Sequence, residues 1–197
     1  MGDGVDRVRA RPGGRSADVR TRVFDAVRDA LERGDATALT IDEVARRSGV
    51  HKATIYRRWL STAGLVADLL TALTPVHTPL PDTGDLHTDL LDVATRVAGT
   101  VASPMSQAML PLIAAGADER LNHAAASYWS SLFDHTATVI RRAQQRGQAT
   151  ADFDPVHGIE LLLAPIYLRS LVTHQPIDAV VVERTVDLVV RTLTGSH

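Results

Sequence analysis

Five basic residues, Arg46, Arg47, Lys52, Arg57 and Arg58, fall between Val44 and Ala67, and no acidic residue interrupts them. Guanidinium and ammonium groups donate hydrogen bonds and accept none, so a cluster of this sign suits an anion, phosphate above all. His51, Thr54 and Tyr56 are interleaved with them. Hydroxyls and ring nitrogens of this kind can bond to phosphate oxygens and to base edges. Charge alone would equally describe a solvated face, in a chain whose only lysine is Lys52 and whose other basic residues are all arginine. The spacing of the apolar residues decides between the two.

Thr40 and Glu43 form the Thr-x-x-Glu pattern of a capping box. Ile41, Val44 and Ala45 then stripe one face of a short helix, Gly49 supplies a sharp turn, and Val50 plugs its corner. Ile55 and Trp59 bury the inner face of a second helix over 52–59, because residues four apart share a face. Its outer face carries Lys52, Thr54, Tyr56 and Arg57, with His51 at the N-terminal edge. This is the layout of a helix-turn-helix, whose second helix enters the major groove. Lys52 and Tyr56 are expected to hold phosphate. Arg57, with a planar fork that matches O6 and N7 of guanine, is expected to read a base. An αα-hairpin inside a larger bundle is the alternative, and it leaves the basic outer face without a use.

Other chemistries lack their residues. The absence of cysteine excludes disulfides, thiol nucleophiles and thiolate metal sites, and it fits a reducing compartment. The eight histidines include no His-Glu-x-x-His and no pair four apart, and no metal or cofactor is expected. There is no Gly-x-Ser-x-Gly elbow, and Gly13-Gly14 follows no strand as a phosphate loop would. No catalytic residue is assigned.

The elements that must position the basic face belong to a chain of 197 residues, enough for one compact body with a small appended module. With 45% apolar residues and a net charge of -2 it is not disordered. The first 60 residues carry 13 basic against 9 acidic groups, while the rest of the chain is net acidic. Strand signals are weak, and the fold class expected is all-α. Residues 1–15 read as a flexible basic arm. A first helix is expected from Ser16 to Gly34, with Val23, Phe24, Val27, Ala30 and Leu31 on one face, and a fourth from about Ser61. Pro75, Pro79, Pro81 and Gly84 then mark a boundary, dividing a module over 16–74 from a second over 85–197. Helices follow at about 85–102, 104–115, 118–146, 155–174 and 178–193. The densest apolar run, Leu161 to Leu168, is short of the ~18 residues that span a bilayer. No apolar stretch precedes Val23, so a cytoplasmic protein without membrane contact is expected.

Within the second module Met105, Met109, Leu110, Ile113, Tyr128, Trp129 and Phe133 could line an apolar cavity, with Gln107, Asn122 and His123 as polar anchors. The set expected to touch a ligand is Met105, Met109, His123, Trp129 and Phe133. Ordinary core and solvated surface is the competing reading. The last two helices are apolar on more than one face, which calls for a second subunit to cover them.

The stretch from about Ser16 to Thr74 resembles the DNA-binding domain of tetracycline-repressor (TetR) family regulators. The resemblance rests on Ala30-Leu31-Glu32-Arg33-Gly34, Leu39-Thr40-Ile41, Ala45, Gly49-Val50 and Lys52-Ala53-Thr54-Ile55-Tyr56-Arg57. Arg57-Arg58-Trp59 and Leu162-Leu163-Ala164-Pro165-Ile166-Tyr167 are similar to a subgroup frequent in actinobacteria. What the resemblance implies is about nine helices: three for DNA, a connecting fourth, and a helical ligand-binding and dimerisation domain. The DNA-contacting set is then Thr40, His51, Lys52, Thr54, Tyr56, Arg57 and Thr62. His51 stands where the family usually has a Ser or Thr cap, and Thr62 stands where it usually has a phosphate-touching lysine. The expected function is a homodimeric transcriptional repressor, released from a near-palindromic double-stranded operator by a small apolar effector and dimeric through its last two helices. The alternative is a small helical enzyme acting on an anionic substrate.

Overall fold

A computed structural model describes residues 14–33, 39–73 and 79–195. The helices are α1 (Gly14–Glu32), α2 (Ile41–Ser48), α3 (Lys52–Trp59), α4 (Thr62–Ala72), α5 (Leu86–Ala102), α6 (Pro104–Ala114), α7 (Glu119–Thr136), α8 (Thr138–Gln145), α9 (Pro155–Leu168) and α10 (Ala179–Thr194). No strand occurs among the described residues, so the all-α expectation holds. Short polar side chains open the helices as the sequence suggests. Thr40, Ser61, Asp85, Ser103, Asp118, Asp154 and Asp178 each accept a first-turn N–H. Pro104 and Pro155 take the first helical positions, where the missing N–H costs nothing.

Two elements differ from expectation. α1 begins at Gly14, so Ser16 lies inside its first turn instead of capping it, and Gly14 and Arg15 are helical. The arm over 1–13, the Gly34 stop and Pro75 lie outside the described residues. The helix expected over 118–146 is two, α7 and α8, divided at Ala137. The Thr136 hydroxyl donates back to the Leu132 carbonyl at 2.6 Å beside the break. Arg141 then donates to the Asp134 carbonyl at 2.9 Å and to its carboxylate at 2.6 Å. Counted as one interrupted helix, α7 and α8 bring the number to nine. Helix α9 runs on through a π-helical turn, Arg169–Thr173, ending at His174 with φ 49°. The resulting 19-residue segment, Pro155–Thr173, is long and apolar enough to cross a bilayer by length and composition, which the Leu161–Leu168 run alone is not. Its Ile159, Leu162, Leu163 and Ile166 are nevertheless buried in the protein's own core.

Two cores divide the molecule. The first gathers Val23, Val27 and Leu31 of α1, Ile41 and Val44 of α2, Ile55 and Trp59 of α3, and Leu65, Leu69 and Leu70 of α4. It also takes in Ala108 and Met109 of α6 and Leu121, Ala124 and Ala125 of α7. The second joins Leu90 and Val93 of α5, Ile140 of α8, the inner face of α9, and Val182, Val186, Val189 and Leu193 of α10. The small N-terminal helices are therefore seated directly on α6 and α7. Trp59 is the hinge of that seat. Its ring is fully buried and its Nε1–H donates to Asp68 of α4 at 2.9 Å, while Asp68 also faces Arg120 of α7 at 3.8 Å.

Candidate functional site

Helix α2 is closed by Gly49 in the left-handed region, φ 65°, and this turn swings α3 across α2. With Ile55 and Trp59 held in the core, Lys52, Tyr56 and Arg57 face solvent and Thr54 is half-buried. Thr54, Arg57 and Arg58 line a groove with Ser16 and Val19 of α1. The N-terminal edge of α3 is open as well. His51 occupies the cap position with no side-chain hydrogen bond, and its carbonyl accepts from the Thr54 and Ile55 N–H groups at 2.8 and 3.3 Å. Thr40 is exposed at the start of α2, its hydroxyl accepting the Glu43 N–H at 3.2 Å, and Thr62 is the half-buried first residue of α4.

The run without acids is a property of the linear sequence alone. Folding brings Asp42 of α2 against the Lys52 ammonium, and the hydrogen bond between them raises the lysine pKa. Glu43 of α2 binds Arg46 at 2.6 and 2.8 Å and also Arg47, and the hydrogen bond to Glu43 likewise raises the Arg46 pKa. Exposed pairs of this type are weak and screened by salt, so a polyanion can displace the carboxylates. Arg58 has a structural duty. It stacks on Trp59 at 5.0 Å and donates to the Ser16 carbonyl and hydroxyl at 3.2 and 3.1 Å, tying α3 to α1. Arg57 has neither an ion pair nor a hydrogen bond among the described residues, and it is the one guanidinium on α3 left to meet a ligand.

A cavity of about 340 Å³ lies beneath, between Leu73 after α4, the 79–81 strap, α5, α6, α7 and α9. Met105 and Met109 line it, as expected. Trp129 and Phe133 line a different, more open apolar groove, with Ile113 and Leu171, and Tyr167 lines both. His123, expected as an anchor, lines neither. The turn of α7 that buries Leu121, Ala124 and Ala125 turns Asn122 and His123 to solvent. The Asn122 amide instead donates to the Gly116 carbonyl at 2.9 Å, and the Gln107 amide to the Val101 carbonyl at 2.7 Å. Sequence reading missed Arg96, Thr100, His135 and Tyr167 as cavity residues, since they come from three helices with no shared periodicity. Burial raises the phenol pKa of Tyr128 and of Tyr167.

The apolar surface of the last helices is also redistributed. Val189 and Leu193 of α10 are 4% and 0% exposed in the protein's own core. Leu161, Leu168, Val172, Val180 and Leu188 are exposed instead.

Comparison with known proteins places both parts of the chain. Residues 23–69 match the family described as bacterial regulatory proteins, tetR family, and residues 80–189 match the tetracyclin repressor-like C-terminal domain. The chain is 28% identical over 165 residues to the HTH-type transcriptional regulator AqdR of Rhodococcus erythropolis, covering 82% of this chain and 80% of that protein. It is 29% identical over 175 residues to YdeS of Bacillus subtilis (strain 168), an uncharacterized HTH-type transcriptional regulator, covering 86% of each. The crystal structure of the TetR family transcription regulator SCO0332 superimposes with a TM-score of 0.71 at 29% identity, covering 89% of this chain and 98% of that one.

Proposed function

The chain belongs to the TetR family of helix-turn-helix transcriptional regulators, and on that premise we propose that it is a homodimeric repressor whose grip on a near-palindromic operator is released by a small effector. The observation that carries the reading is the outer face of α3. Ile55 and Trp59 are buried, Arg57 is unpaired among the described residues, and Lys52 and Tyr56 stand beside it, the ammonium 5.7 Å from the phenol ring. In this reading Arg57 reads a base, while Lys52, Tyr56, Thr54 and His51 fix the helix on phosphate, with Thr40 and Thr62 as flanking backbone contacts. Residues 16–74 form the reading head and residues 85–197 the regulatory part, acting in the cytoplasm.

The exposed apolar residues of α9, its π-helical turn and α10 form the dimer contact. An isologous interface places two α3 helices on symmetric half-sites. The effector occupies the cavity lined by Met105 and Met109. Because Leu73 and the 79–81 strap close one side of it, filling the cavity moves α4, and the Trp59–Asp68 hydrogen bond passes the displacement to α3. A coupling of about 1–3 kcal/mol lowers operator affinity roughly 5- to 150-fold.

Fluorescence anisotropy with DNA fragments from upstream of the protein's own gene, in heparin competitor, tests the reading. Saturable binding to one fragment, lost in Arg57→Ala, supports it. Binding to every fragment alike, or to none, refutes it. An enzyme using the same basic face for an anionic substrate would show no preference among fragments.

A further inference from the structure

Resting on the reading of the 340 Å³ cavity as the effector site, we propose that its occupant is an uncharged, largely apolar molecule bearing a carbonyl oxygen that accepts hydrogen bonds from both Tyr128 and Tyr167. Leu73, Leu80, Val93, Val97, Met109 and Leu132 supply apolar walls. Every other polar side chain in the lining already has a partner. Thr100 donates to the Arg96 carbonyl at 3.0 Å and Thr136 to the Leu132 carbonyl at 2.6 Å. Ser106 shares a hydrogen bond with Ser103 at 3.2 Å, and His135 is engaged within the protein. The Tyr128 and Tyr167 hydroxyls have no hydrogen-bond partner among the described residues.

The two phenols come from different helices, α7 and α9, and both line the cavity. The Trp129 ring stands nearly perpendicular to both phenol rings, at 5.3 Å from Tyr128 and 4.9 Å from Tyr167, and so packs between the two helices. Burial, and for Tyr167 the nearby Tyr128 phenol, keeps the hydroxyls protonated, so both present O–H donors. A carbonyl oxygen has two lone pairs and can satisfy both donors at once. Charge argues against the obvious alternatives. Arg96 is the one Arg or Lys among the described lining residues. It is ion-paired with Asp92 on its own helix at 2.7 Å and donates to the Pro79 carbonyl at 3.2 Å. A carboxylate would have to displace Asp92 from Arg96 to find a cation there, and an ammonium finds no carboxylate among the described lining residues.

The test uses the full-length protein and three probes on one nine-carbon skeleton: propiophenone, propylbenzene and 3-phenylpropanoate. Calorimetry should give at least a tenfold tighter Kd for propiophenone than for either of the others. Tyr128→Phe and Tyr167→Phe should each remove most of that preference and leave the propylbenzene Kd unchanged, since the rings remain. Equal binding of ketone and hydrocarbon, tighter binding of the carboxylate, or unchanged preference in both Phe variants overturns the proposal. Failure of all three probes to bind overturns it together with the effector-site reading. If propiophenone binds through the tyrosines yet operator affinity is the same with and without it, the chemical class stands and the effector role falls.

Discussion

Gly64, buried as the third residue of α4, is where a methyl group would do the most informative damage. A Cβ built there lies 2.1 Å from the Trp59 carbonyl oxygen, 3.2 Å from its carbon, and 3.4 Å from the Arg120 guanidinium. Carbon and carbonyl oxygen rest at roughly 3.3 Å or more, so Gly64→Ala forces α4 about 1 Å off the end of α3. The obstacle is backbone, which no rotamer change can clear. Overpacking of this kind costs about 1–3 kcal/mol or more, against a helix-propensity gain of about 1 kcal/mol for alanine over glycine. With backbone as the obstacle the cost falls at the upper end of that range, about 3 kcal/mol, so the net is a loss of about 2 kcal/mol, and at roughly 2–4 °C per kcal/mol for a chain of this size the Tm should fall by about 4–8 °C. Gly99, inside α5, is the control, because a Cβ there meets nothing within 4 Å. Gly99→Ala should stabilise by about 0.5–1 kcal/mol and raise the Tm. Thermal melts of both variants at one protein concentration, with anisotropy on the operator, separate the two signs. Gly64→Ala should also weaken operator binding, because the displaced carbonyl belongs to the last residue of α3. A Tm that rises in Gly64→Ala as it does in Gly99→Ala would refute the close approach and the α3–α4 coupling drawn from it.

Arg57→Ala should cost roughly 1–3 kcal/mol of operator affinity and relax preference at one base pair per half-site, read by competition among single-base variants. Lys52→Ala should weaken all sequences alike and flatten the slope of log K against log salt by about one, and an unchanged slope would remove Lys52 from the phosphate contacts. Leu188→Arg, at a residue 59% exposed, should give a folded monomer by light scattering, whereas Val189→Arg, at 4% exposure, should unfold the chain by circular dichroism. Alkaline pH should destabilise the protein through its phenols. The folded pKa of Tyr167 lies above its ordinary 10.0, so its contribution is fully present below pH 10 and is lost as pH rises beyond it. The urea midpoint should therefore drop less between pH 9 and pH 11 in Tyr167→Phe than in the parent.

What the sequence determined by itself was local in range. The Thr40 cap, the left-handed turn at Gly49 and the Ile55–Trp59 inner face each involve residues a few positions apart, where the helical repeat and backbone sterics leave one workable arrangement. From those the all-α class, the helix-turn-helix and the outward set on α3 could be read before any coordinates. The tertiary structure decided what depends on distant neighbours. Asp42 closing on Lys52, and Asp68 joining Trp59 to Arg120, are pairings across helices that no periodicity announces. The break between α7 and α8 at Ala137 falls within a pattern that reads as one continuous helix. α10 shows the reason most directly. With valine or leucine at 180, 181, 182, 186, 188, 189, 190 and 193, its pattern is apolar on more than one face, and only the packing of α5 and α9 against it selects Val189 and Leu193 for the interior and leaves Val180 and Leu188 exposed.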